Sequence, residues 1–136
     1  MTAAASGRSV RRVLTMCAAA LSLWAADFVR AAAPLHGRVL HVVDGAMLDV
    51  LVGRKRTRVL LTGIEAPDAS AIYSQRSRQS LIQLCGGELA EIHAAGTDRE
   101  GRTLARVICN QTDANAEQVR RGMVRLSDRN ATPGSP

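Results

Sequence analysis

Hydrophobic and polar positions alternate from Gly37 to Thr62 in three short runs separated by turn residues. Arg38 to Val43 is rich in β-branched side chains and stops at Asp44-Gly45, a pair that turns a chain readily. Met47 to Val52 puts Leu48, Val50 and Val52 on one face and points Asp49 away, which is the period of a strand. Gly53-Arg54 turns the chain again, and Lys55 to Thr62 reads as a third strand with Arg56 and Arg58 on one face. Gly63 to Asp68 is a loop, because Gly63 and Pro67 both interrupt regular structure. From Ser70 to Leu84 the period becomes helical, with Ile72, Leu81, Leu84 and Cys85 on the apolar side. Asp68 or Ser70 can cap this helix, and Gly86-Gly87 ends it. Alternation returns from Leu89 to Ala94. After a polar loop through Asp98-Arg99-Glu100-Gly101 it resumes from Arg102 to Cys109. A short second helix, Ala116 to Arg121, is capped by Asp113 or Asn115 and closed by Gly122.

The order is β-β-β-α-β-β-α, a mainly β chain with two helices (α+β). Five short strands with a helix between the third and fourth predict an OB-type Greek-key barrel plugged at one end by that helix. The length of 136 residues allows one such domain and excludes a multidomain enzyme.

The remaining segments refine this picture. Arg8, Arg11 and Arg12 precede an uncharged run, Val13 to Ala26, and the small residues Ala31-Ala32-Ala33 follow. Residues 1–31 therefore read as a secretory signal, and the protein as exported, periplasmic or secreted. The apolar run is about 14 residues, against the ~20 that span a bilayer, so no membrane span is expected in the mature chain. Residues 32–126 then form the barrel domain, and 127–136 a polar, disordered tail. Removing Arg8, Arg11, Arg12, Arg30 and Asp27 leaves 14 basic against 11 acidic residues, a mild excess that does not by itself establish nucleic-acid binding. Tyr73 is the one aromatic residue outside the signal, which argues against a binder that stacks bases on aromatic faces.

Four fragments carry a resemblance: Val43-Asp44-Gly45, Gly63 to Asp68, Asp98 to Arg102, and Asp113-Ala114-Asn115 with Val119 to Gly122. In this order and spacing, over residues 37 to 125, the chain resembles the staphylococcal nuclease family. That resemblance implies a Ca²⁺-dependent phosphodiesterase acting on DNA or RNA. It implies a metal cluster of carboxylates, a carboxylate general base and two arginines on the scissile phosphate. The physical logic is plain: Ca²⁺ takes many oxygen ligands, and guanidinium pairs bidentately with phosphate. A carboxylate within reach of the attacking water can take its proton.

Carried over position by position, Asp44 matches the first aspartate of the family's Asp-Gly-Asp-Thr run and is a candidate metal ligand. Glu65 matches a metal carboxylate with the Ala66 carbonyl beside it, Asp68 the general base and Arg102 a phosphate arginine. Ala46 and Leu60 stand where the family places a second metal aspartate and the first phosphate arginine. Arg58 lies two residues before Leu60 on the same face and is a candidate phosphate contact, although two strand residues span ~6.6 Å. The bland readings stay open as well. Asp44 forms a turn, Asp68 caps a helix, Arg102 pairs with Asp98 or Glu65, and Arg54, Arg56 and Arg58 form a solvated strand edge. His36, His41 and His93 show no metal-ligand spacing. Cys85 and Cys109, which remain after signal removal, are a candidate disulfide in an oxidising compartment; the alternative is two buried free thiols. Two functional readings follow. One is an exported fold relative with an eroded site and a binding or structural role; the other is an active Ca²⁺-dependent endonuclease.

Overall fold

A computed structural model of the chain describes residues 33–68 and 70–128. The signal assigned to residues 1–31 and most of the tail, residues 129–136, lie outside the described residues.

The three alternating runs form an antiparallel meander of β1 (Leu35–Asp44), β2 (Met47–Val52) and β3 (Lys55–Leu61). β1 starts earlier than the β-branched run because Leu35 to Arg38 pair with β5 (Leu89–Thr97). β5 pairs with β6 (Thr103–Cys109), giving the order β3-β2-β1-β5-β6. Val59, Leu60 and Leu61 of β3 then run parallel to Thr103, Leu104 and Ala105 of β6, which closes the barrel. This is the five-stranded OB-type arrangement. Three two-residue strands accompany it: β4 (Ile64–Glu65), β7 (Thr112–Asp113) and β8 (Arg125–Leu126). β4 pairs with β8.

Helix α1 (Ala71–Cys85) lies between β4 and β5, and α2 (Ala114–Arg120) follows β7. The core is made by the inward positions of the strands, Val39, Leu48, Val50, Val59, Leu61, Ile92 and Val107, together with Leu81 and Leu84 of α1. Each such side chain contributes up to ~1.5–3 kcal/mol by leaving water. The pairing of Ala90 with Cys109 brings the end of β6 beside the segment that leaves α1. Cys85 and Cys109 are fully buried there and joined as a disulfide, with Cα atoms 5.3 Å apart.

Several local expectations need correction. Asp49 does not face solvent: it is 1% exposed, because Arg56 and Arg58 fold across it. The first half of β3, with the exposed Arg56 and Arg58, is the edge that was expected, whereas its second half pairs with β6. Ile72 is exposed, because it lies in the first turn of α1 and the buried face begins only at Ser77. Asp68 does not cap α1; Ser70 occupies that position without a side-chain cap bond. Asp113 does cap α2, its Oδ1 accepting from the Ala116 amide at 3.1 Å, but the helix starts two residues earlier than expected. Ser127, assigned to the tail, donates its amide to the Gly63 carbonyl at 2.9 Å and extends the β4–β8 pairing.

Candidate functional site

The turn after β1 is fixed from three sides. Asp44 Oδ1 accepts the Ala46 amide at 2.7 Å, which closes an Asx-type turn. Gly45 packs so tightly on α1 that a Cβ there would lie 1.6 Å from Ser77 Oγ. Buried Gln118 of α2 donates Nε2 to the Gly45 carbonyl at 2.8 Å and to the Ser77 carbonyl at 3.1 Å. Both helices therefore hold this turn against the mouth of the barrel.

The turn forms one wall of an open cleft of about 1010 Å³. Four of the sequence-derived candidates line it: Asp44, Glu65, Asp68 and Arg102. Arg58 does not. Its guanidinium is committed to Asp49, Nε to Oδ1 at 2.8 Å and Nη2 to Oδ2 at 3.1 Å. Between the charged groups the wall is apolar: Ala46, Leu60 and Leu104 are 2%, 6% and 6% exposed.

The loop from β5 to β6 forms the facing wall. Asp98 folds back on itself, its Oδ1 accepting the amides of Glu100 at 3.0 Å and Arg102 at 2.8 Å. Arg102 Nε donates to Asp98 Oδ2, and its Nη2 lies 2.9 Å from Glu100 Oε2. Partial burial opposes ionisation of Asp98, yet the side-chain and backbone bonds of Arg102 outweigh it and hold the carboxyl below its usual range. Arg102 is thus positioned at the cleft with two carboxylates against it. Any anion arriving there competes with both.

Glu65 and Asp68 meet a cation that the sequence pattern did not single out. β4–β8 pairing sets Glu65 opposite Arg125, whose Nη2 lies 3.3 Å from Asp68 Oδ2 and 4.0 Å from Glu65 Oε2. A two-residue strand carries no periodic signal, so this contact was not legible. Asp68 itself is almost fully solvated, its side chain 96% exposed.

Ca²⁺ takes six to eight oxygens, and its affinity follows carboxylate count. Five carboxylates line this cleft, and each is already engaged: Asp44 accepts an amide, Glu65 and Asp68 face Arg125, and Asp98 and Glu100 pair with Arg102. Ala46, Leu60 and Leu104 contribute no donor. Among the described residues no three His, Cys, Asp or Glu side chains come together as a ligand set. No Ca²⁺ ligand set is thus assembled among the described residues.

With the barrel and cleft defined, comparison with known proteins fixes the class. The sequence profile described as staphylococcal nuclease homologue matches residues 58–133. The chain belongs to this family. It is 35% identical over 104 residues to a protein of Shigella flexneri named micrococcal nuclease, covering 70% of this chain and 60% of that one. It is 34% identical over 100 residues to Protein ParB of Escherichia coli, covering 67% and 56%. A Haemophilus influenzae protein named an uncharacterized endonuclease is 36% identical over 87 residues, covering 63% and 49%. The chain thus spans less than two thirds of the length of these relatives.

Proposed function

We propose that this is an exported nuclease-family barrel that binds a nucleic-acid strand through its phosphates and hydrolyses it weakly or not at all. The observation that carries this reading is the buried apolar pair Ala46 and Leu60 in the cleft wall, where the family resemblance places a metal carboxylate and a phosphate arginine. Removing one formal charge from a Ca²⁺ site weakens it by orders of magnitude. Removing one fixed transition-state donor costs ~10²–10³ in rate. What remains suits binding better than cleavage. Arg102 can offer its guanidinium to a phosphate oxygen, while Asp98 and Glu100 orient it. Asp68, if it acts as the base, does so from a solvated position with Arg125 beside it.

Export rests on the signal-like residues 1–31, and the paired cysteines agree with an oxidising destination. Relatives named micrococcal nuclease and endonuclease favour a second reading, an active endonuclease, to which the family resemblance adds Ca²⁺ dependence and a DNA or RNA substrate. That reading requires Asp44, Glu65, Asp68 and Arg102 to suffice without the two missing charges. Calorimetric titration separates the two. The proposal expects no Ca²⁺ heat at millimolar ion, with or without a nucleotide 3′,5′-bisphosphate, and bisphosphate binding that does not depend on Ca²⁺. Mutually reinforcing binding of Ca²⁺ and bisphosphate would favour the endonuclease.

A further inference from the structure

On the outer face of the β2–β3 hairpin one carboxylate organises two arginines. Asp49 Oδ2 accepts Arg56 Nη2 at 2.7 Å, and Arg58 engages both carboxylate oxygens through Nε and Nη2. The Asp49 side chain is 2% exposed, whereas those of Arg56 and Arg58 are 60% and 50% exposed. A guanidinium carries five N–H donors. Asp49 therefore occupies three of the ten on offer and leaves most of both forks facing water. The unit keeps one net positive charge. Arg54 and Lys55 add two more at the exposed turn, and among the described residues neither meets a carboxylate.

Two features make this more than a solvated charged face. The guanidinium planes are held in place by a buried partner, so little side-chain entropy is left to lose when an anion binds. The site also adjoins the cleft, because Arg58 and Leu60 alternate on one face of β3 and Leu60 lines the cleft. A planar fork suits the oxygens of a phosphodiester, which accept two parallel N–H bonds. With Tyr73 the one aromatic among the described residues, contact through phosphates rather than stacked bases is the mode open to this surface.

We propose that Arg56 and Arg58, braced by Asp49, form a second phosphodiester-binding site, which takes a single-stranded nucleic acid where it leaves the cleft. This rests on the reading that the cleft receives nucleic acid. The test is fluorescence anisotropy of a labelled single-stranded oligonucleotide over a salt series, with EDTA present. The variant Asp49→Asn/Arg56→Gln/Arg58→Gln removes the charges together and leaves no buried ion unpaired. It should bind roughly tenfold more weakly at low salt and flatten the slope of log affinity against log salt by about 0.7, for the one net positive charge that the unit carries. Arg58→Lys keeps the charge and loses the fork; it should weaken binding with the slope unchanged, and it stands in if the triple variant misfolds. Arg120→Gln, on α2, should change neither. Wild-type affinity and slope in both hairpin variants would overturn the proposal. If Arg102→Gln weakens binding while the hairpin variants do not, this inference falls and the cleft reading survives. If the wild type binds no oligonucleotide, both fall. Hairpin variants that lose binding to phosphatidylglycerol vesicles but keep oligonucleotide affinity would also overturn it, in favour of a membrane surface.

Discussion

Two neighbouring cross-strand pairs of β2 and β3 reverse the usual assignment of charge. Asp49 faces Arg58, and one step along the same face Met47 faces Leu60. The first pair carries a carboxylate that is almost wholly buried, and it persists because three guanidinium hydrogen bonds replace water. The second forms part of the cleft wall and is apolar, at the position where the family resemblance would place a phosphate arginine. The same hairpin thus concentrates fixed charge a few ångströms outside the cleft and withholds it inside. Charge placed on the outer face can hold a strand. Only charge inside the cleft, beside the scissile phosphate, can stabilise the transition state.

Moving charge back into the cleft breaks this comparison most directly. Ala46→Asp with Leu60→Arg should create measurable Ca²⁺ binding by calorimetry and raise DNA hydrolysis by ~10²-fold or more. A double variant with native circular dichroism and no gain in Ca²⁺ affinity would show that these two positions do not face the site. Next in size is the covalent link between the end of α1 and the end of β6. Reducing Cys85–Cys109, or replacing both with serine, should cost about 3 kcal/mol by chain entropy and lower Tm by roughly 15 °C. Protein from an oxidising compartment should show no free thiol in denaturant for this pair.

The outer pair supplies smaller effects. Arg58→Ala should lower the denaturant midpoint more than Asp49→Asn does, because the first leaves a buried carboxylate with one of its three guanidinium hydrogen bonds and the second leaves two solvated arginines. Acid should probe the same group. The hydrogen bond from Arg58, with that from Arg56, outweighs burial and lowers the Asp49 pKa from 3.8 to about 2. The folded-state pKa lies below the unfolded one, so this stabilisation is complete above about pH 4–5. It is lost as pH falls through 4 toward 2, amounting to at most about 2 kcal/mol, less screening at the exposed arginines. Asp49→Asn should remove that part of the acid transition. Smallest of all, Arg120→Gln should leave Tm unchanged, since Arg121 still holds Glu117.

The barrel was legible because period-two runs, turn pairs and one helical stretch appear in an order that few folds share. The cleft was legible only through family resemblance, which located Asp44, Glu65, Asp68 and Arg102 on one cavity but could not say what surrounds them. Arg125 was missed because its approach to Glu65 depends on a two-residue strand formed after α2. Asp49 is the instructive failure. Alternation assigned it to solvent, and alternation cannot see what folds over a strand. The signal was nevertheless present: the two-residue turn Gly53-Arg54 sets Val52 opposite Lys55, and counting three steps out from each places Asp49 opposite Arg58. A lone carboxylate between Leu48 and Val50, with arginines facing it, marks a buried ion pair rather than a polar face.

The most direct test of the account is the initial rate at which purified protein cleaves end-labelled single-stranded DNA in Ca²⁺ and in EDTA, measured beside a family member that retains both missing charges. The account predicts a rate at least ~10²-fold below that enzyme and little difference between Ca²⁺ and EDTA. Turnover matching that enzyme and abolished by EDTA would contradict it.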